Sequence, residues 1–177
     1  MLLQSEDIID QPADIVYPLV RDEMHKIIPY LPNIESIKMI SREDLDGNRV
    51  KIVNHWMAKA QIPSMLKKFA RPELFSWKDY AVWRDDDYCV DFELESFLAN
   101  DLYDAKGTNY FGPAGEGKTK LRVTCELIIH PNKIPGVPTF LAKKVLPSIE
   151  SLLRSTMEPN LTSLGKGLTE YFKAQGK

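Results

Sequence analysis

The spacing of apolar residues changes twice along this chain, and those two changes limit its folds more than any single motif does. Near the start, Ile15, Val16, Leu19, Val20, Met24 and Ile27 recur at the spacing of one helix face. From about Ser36 to Ile129 the period is two. Val90, Phe92 and Leu94 alternate with Asp91, Glu93 and Glu95, and Leu121, Val123, Cys125 and Leu127 alternate with Arg122, Thr124 and Glu126. Strands of this kind pack one face and wet the other. From Leu141 the helical period returns, through Val145, Ile149, Leu152, Leu153, Met157, Leu161, Leu164, Leu168, Tyr171 and Phe172.

Turn chemistry divides these regions into elements. Leu2 to Ile9 reads as a strand. Asp10 reads as the cap of the first helix, with Pro12 and Asp14 in its first turn, and Pro18 is expected to kink or split it into two short helices. Asp46-Gly47-Asn48 joins strands 36–45 and 49–60 as a hairpin. Arg84-Asp85-Asp86-Asp87 joins Trp77–Trp83 to Tyr88–Phe97, and a glycine-rich turn joins Leu102–Phe111 to Thr119–Ile129. Six consecutive antiparallel strands follow from this. The last region is a long helix, kinked or broken at Pro147 and Pro159, about 50 Å long at 1.5 Å per residue. The expected class is α+β, with the helices on one face of a curved antiparallel sheet and a cavity between them.

The 177 residues are sized for one domain, 1–177. Apolar residues are 44% and charged residues 27% of the chain, the balance of a globular protein. No apolar run reaches the ~20 residues that cross a bilayer, so no stable membrane insertion is expected. The acidic start, Met1 to Asp10, does not read as a secretion signal. A net charge of −2 gives no bulk attraction for nucleic acid. Cys89 and Cys125 lack the number and spacing of a disulfide or metal framework, and a reducing cytoplasmic setting is expected. His25, His55 and His130 show no metal-ligand spacing, so neither a metal nor a cofactor is expected.

Several segments invite a chemical reading. Gly112 to Thr119 matches the phosphate-loop pattern, yet the alternating residues after it make a strand, where that loop needs a helix. A hairpin turn is the expectation. Alternation places Asn54 and Trp56 on one face of their strand, Trp77, Asp79 and Trp83 together on the next, and Tyr103, Asn109 and Phe111 together on a later one. If these faces point inward, Asn54, Asp79 and Asn109 are polar groups in an apolar cavity, where a ligand head group could partner them. Asp79 is then the one candidate general acid or base. The alternative has the tryptophan strand facing outward and Asp79 in water. With Phe92, Cys125, Val145 and Ile149, these residues form the expected ligand lining. An insert at about 61–75 carries Ile62, Met65, Leu66 and Phe69 at helical spacing, flanked by Lys59, Lys67, Lys68 and Arg71. It reads either as an interfacial helix that touches a membrane transiently through 62–69 or as a short helix on the sheet edge.

The order strand, short helices, meander, long helix resembles the helix-grip fold of the START-like superfamily. That superfamily includes lipid-transfer domains, the birch-pollen allergen family and polyketide cyclase or dehydrase relatives. The resemblance is carried by Ile9-Asp10-Gln11-Pro12-Ala13-Asp14-Ile15-Val16-Tyr17, by Asp22, by Tyr30-Leu31-Pro32-Asn33-Ile34 and by Pro147-Ser148-Ile149-Glu150-Ser151-Leu152-Leu153. It implies binding of a hydrophobic molecule between sheet and helix, lipid-like, quinone-like or polyketide-like, by a carrier or sensor. One alternative is a cyclase or dehydratase-type enzyme that uses Asp79. Another is an interaction module whose core is filled. The sequence does not specify an oligomeric state.

Overall fold

The computed structural model describes residues 1–59, 76–96, 103–130 and 139–176, without the side chains of several positions between 139 and 157. Strand β1 (Leu2–Ile9) precedes helix α1 (Ala13–Asp22) and two single-turn 3-10 helices (Met24–Lys26 and Ile28–Tyr30). Strands β2 (Ile34–Leu45), β3 (Arg49–Ala58), β4 (Ser76–Arg84), β5 (Cys89–Ser96), β6 (Tyr103–Pro113) and β7 (Thr119–Ile129) follow, then helix α2 (Thr139–Ala174). The strands form one antiparallel sheet in the order β1-β7-β6-β5-β4-β3-β2. This is the expected six-strand meander, extended at one edge by β1. The architecture is the curved open sheet and C-terminal helix of the helix-grip fold.

The turns explain the register. Gly47 and Asn48 both have positive φ, 72° and 52°, and so reverse the chain tightly between β2 and β3. Between β6 and β7, Gly115 and Gly117 take positive φ and the Ala114 N–H donates to the Lys118 carbonyl at 3.1 Å. The phosphate-loop lookalike is therefore a hairpin turn. Its lysine, Lys118, pairs with Asp10 at 2.6 Å, and the Thr119 hydroxyl donates to the Gln11 carbonyl at 2.7 Å.

One local expectation is corrected, and two alternatives are narrowed. Asp10 does not cap α1. The helix starts at Ala13, so its N-cap is Pro12, which has no side chain to cap with, and Asp10, two residues earlier, pairs with Lys118. Pro18 lies inside α1 without splitting it, and the helix ends instead at Asp22, before the two 3-10 turns. Helix α2 runs unbroken for 36 residues through Pro147 and Pro159, about 54 Å at 1.5 Å per residue. The hydroxyls of Thr162 and Ser163 donate to the Glu158 and Asn160 carbonyls near the second proline. The insert at 61–75 lies outside the described residues.

One end of the concave sheet face is filled by α1. Tyr17, 2% exposed, sets its ring edge-on to Trp83 at 5.3 Å and to Phe111 at 5.5 Å. Its hydroxyl donates to Asp85 at 3.1 Å, and Arg21 and Asp22 continue the chain of contacts to Arg42. The C-terminal part of α2 packs on β1, β7 and the second 3-10 helix, with Leu168 and Phe172 buried. Gly165 and Gly167 allow that approach, since a Cβ on Gly167 would stand 2.7 Å from Leu31. Cys89 alternates to the face opposite Val90, yet it is buried, with the Arg84 guanidinium donating to its sulfur at 3.0 Å.

Candidate functional site

Strand pairing settles which side chains share a face. Register aligns Asn54, Asp79, Leu94, Ala105 and Leu127 in one row across β3 to β7. The row nearer α1 contains Ile52, Ala81, Phe92, Gly107 and Cys125, and the next contains Val50, Trp83, Val90, Asn109 and Val123. The row farthest from α1 contains Trp56, Trp77 and Ser96, with Tyr103 opposite Ile129. Most of these apolar residues are core, so the rows face the concave side. Asn54, Trp56, Trp77, Asp79, Trp83, Phe92, Tyr103, Asn109, Phe111 and Cys125 thus all point the same way, and the outward alternative for the tryptophan strand is excluded. The side chains of Val145 and Ile149 lie outside the described residues.

The concave face is not filled evenly. Ile52, Ala81, Val90, Phe111 and Leu121 are buried at the α1 end. At the other end Asn54, Trp56, Trp77, Asp79, Leu94, Ser96, Tyr103 and Ile129 are only half-buried. Leu94, Ser96 and Ile129 extend the expected lining, and the same period-two rule that found Phe92 would have found Leu94. Trp56 and Trp77 face each other directly and stack, with ring centroids 5.9 Å apart and planes 15° from parallel.

Polar groups on this face are unsatisfied. Among the described residues, Trp56 Nε1 and Asp79 Oδ1 at the half-buried end, and Trp83 Nε1 and Asn109 Oδ1 at the α1 end, are sealed from solvent without a hydrogen-bond partner. Leaving a buried donor or acceptor unpaired costs about 1–3 kcal/mol. Burial pushes the Asp79 carboxyl up to about 7, and the nearby Trp56 indole N–H opposes this in part. Burial also raises Tyr103 and takes the Cys125 thiol up to about 11. This surface therefore favours neutral groups. Asp79 exchanges its proton near neutrality, which equips it to give or take one.

Two open grooves lie elsewhere. One, of about 710 Å3, runs between Tyr88, Tyr110, Arg84 and Lys118, and another, of about 680 Å3, crosses the convex face near Lys51, Tyr80, Lys106 and Glu126. Neither contains Trp56 or Asp79, whose sealed polar atoms lie at the half-buried end of the concave face, so that end is the stronger site. Among the described residues no group of acidic, histidine or cysteine side chains is arranged to hold a metal ion. None of the described helices is long and apolar enough to cross a membrane.

Known structures share this fold. A protein of Thermus thermophilus is 23% identical and superimposes over 100% of both chains with a TM-score of 0.69. An aromatase/cyclase from a Streptomyces species is 10% identical over 99% of this chain and 95% of its own, TM-score 0.66. Norcoclaurine synthase from Thalictrum flavum, in complex with dopamine and hydroxybenzaldehyde, is 12% identical over 100% of this chain and 88% of its own, TM-score 0.60. No family model and no curated protein matches the sequence. The chain shares the helix-grip fold of these structures, and at these identities the likeness extends to the fold alone.

Proposed function

We propose that the protein binds an apolar or amphipathic small molecule on the half-buried end of its concave face, as a carrier or sensor. The observation that carries this reading is the sealed Asp79 Oδ1, without a hydrogen-bond partner among the described residues, beside the half-buried stack of Trp56 and Trp77. A ligand that satisfied it would recover its desolvation cost as affinity. The stacked pair Trp56 and Trp77 supplies a broad apolar wall for it. Two structures of the same fold, an aromatase/cyclase and a norcoclaurine synthase in complex with dopamine and hydroxybenzaldehyde, support the reading. Burial of apolar ligand surface would drive binding at ~25 cal/mol per Å², with the polar groups setting orientation.

The test is native mass spectrometry of freshly purified protein, followed by organic extraction. A stoichiometric apolar compound is expected. Ligand-free protein with no thermal shift across a panel of lipids, quinones and aromatic ketones would rule the reading out.

A second reading rests on Asp79 alone. A buried carboxyl that titrates near 7 can serve as general acid and base in a cyclase or dehydratase-type reaction. Turnover lost in Asp79→Asn, with binding of the identified ligand retained, would establish it. Equal turnover in both proteins would remove it.

A further inference from the structure

The concave end has a one-sided electrical character, which bears on what the proposed ligand site accepts and so rests on that reading. Among the described residues, the inward positions of β3 to β7 carry apolar, hydroxyl, amide, thiol and one carboxyl side chain, and no Lys, Arg or His. Cations near these strands are committed or turned away. Arg84 lies beside Asp87 and Asp91, and Lys78 alternates to the opposite face from Trp77 and Asp79. The described charged residues in the N-terminal half of α2, Lys143, Lys144, Glu150 and Arg154, are exposed.

The groups that do face Asp79 are Asn54 from β3, Leu94 from β5 and the Trp56 indole; Tyr103 and Cys125 are titratable groups on the same strands, and Asp7 faces the same side from β1, beside α2 and Lys166. Burial disfavours the anion of Asp79, Tyr103, Cys125 and Asp7. An anionic head group brought here would lose its hydration with no cation among the described inward side chains to replace it. Once Asp79 ionised, that head group would also meet a like charge across a poorly screened gap. Asp79 Oδ1 has no hydrogen-bond partner among the described residues, and an uncharged hydroxyl or carbonyl group meets the carboxyl without that penalty.

We propose that this site selects uncharged apolar molecules and rejects carboxylates, sulfonates and phosphates, with the Asp79 carboxylate as the group that enforces the rejection. Free fatty acids and phospholipids would then be poor ligands, and neutral carbonyl- or hydroxyl-bearing compounds good ones.

A matched pair of fluorescent probes tests this. N-phenyl-1-naphthylamine is neutral, and 8-anilinonaphthalene-1-sulfonate is close to the same molecule with a permanent negative charge. The readout is the ratio of their dissociation constants at pH 6 and pH 8, in the natural protein and in Asp79→Asn. At pH 8 the neutral probe should bind at least about tenfold more tightly. That ratio should fall toward pH 6 as Asp79 takes up its proton. In Asp79→Asn it should be smaller at pH 8 and the same at both pH values. Equal affinities for the two probes in the natural protein, or a ratio that Asp79→Asn leaves unchanged, would overturn the proposal while leaving the ligand reading standing. Failure of both probes to bind would overturn the two together.

Discussion

Trp56 and Trp77 occupy directly opposed positions on β3 and β4, and their indole rings stack 5.9 Å apart at 15°. Two indoles this close couple their excited states, so the pair should give a paired positive and negative band near 230 nm in circular dichroism. Trp77→Phe should abolish that signal with the fold intact. Trp77→Ala should cost about 2 kcal/mol in urea unfolding, since the ring is half-buried and an aromatic pair adds only about 1 kcal/mol beyond its area. It should also weaken the neutral naphthyl probe about tenfold. Unchanged probe affinity would mean that the stack belongs to the core and not to the ligand site.

Asp79 gives a pH dependence with a definite sign. Its folded value, about 7, lies above the unfolded reference of 3.8, so the folded chain binds the proton more firmly between those limits. Stability should therefore be full below about pH 4 as far as this group is concerned, and fall as pH rises through 7. The loss is about 4 kcal/mol, spread over the interval between the two values. Asp79→Asn removes the titration. Its urea midpoint should match the natural protein near pH 3.5 and exceed it by a growing margin up to pH 8. A variant less stable at pH 8 would show that the carboxylate has a favourable partner.

Gly107 sits where the concave face has no room for another carbon. An added Cβ would overlap the backbone carbonyl of Thr124 and stand 2.6 Å from the Phe92 ring. A strand carbonyl in a ladder does not step aside, so Gly107→Ala should cost more than about 3 kcal/mol. Thermal unfolding measures this. The same change at Gly47 meets no atom within 4 Å and is strained only by its φ of +72°, so its cost should be near 1 kcal/mol. Equal losses at the two sites would contradict the packing argument.

Strand register was legible because alternation is a local signal. Val90-Asp91-Phe92-Glu93-Leu94 states its own inward face, and five such strands agree on one core. The concave grouping of Asn54, Asp79 and Asn109 follows from the same arithmetic. What lay hidden depends on contacts between distant residues. Asp10 looks like a cap until Lys118, on a hairpin far along the chain, takes its carboxylate. Cys89 looks exposed until Arg84 folds over it. Trp83 and Asn109 look equally suited to water or to a partner, and only packing shows that they have neither. The roles of Gly165 and Gly167 require knowing which strand and turn α2 crosses.

The last prediction concerns how α1 is fastened over the filled end of the sheet. The Tyr17 hydroxyl donates to Asp85 at 3.1 Å and lies 3.4 Å from the Cys89 carbonyl, while Arg21 grips the same Asp85. Burial is the main cause that holds Tyr17 well above the ordinary phenol range, with the Asp85 charge adding to it. Tyr17→Phe keeps the ring contacts with Trp83 and Phe111 and deletes only the donor. Asp85 keeps Arg21, so no buried charge is orphaned, and the loss should be about 1–2 kcal/mol. Asp85→Ala removes the acceptor of both Tyr17 and Arg21 and should cost more. The double variant should then cost less than the two single losses added together, because both delete the same hydroxyl contact. Strict additivity in urea unfolding would mean that the hydroxyl and Asp85 act independently, and that α1 is fastened by its apolar face alone.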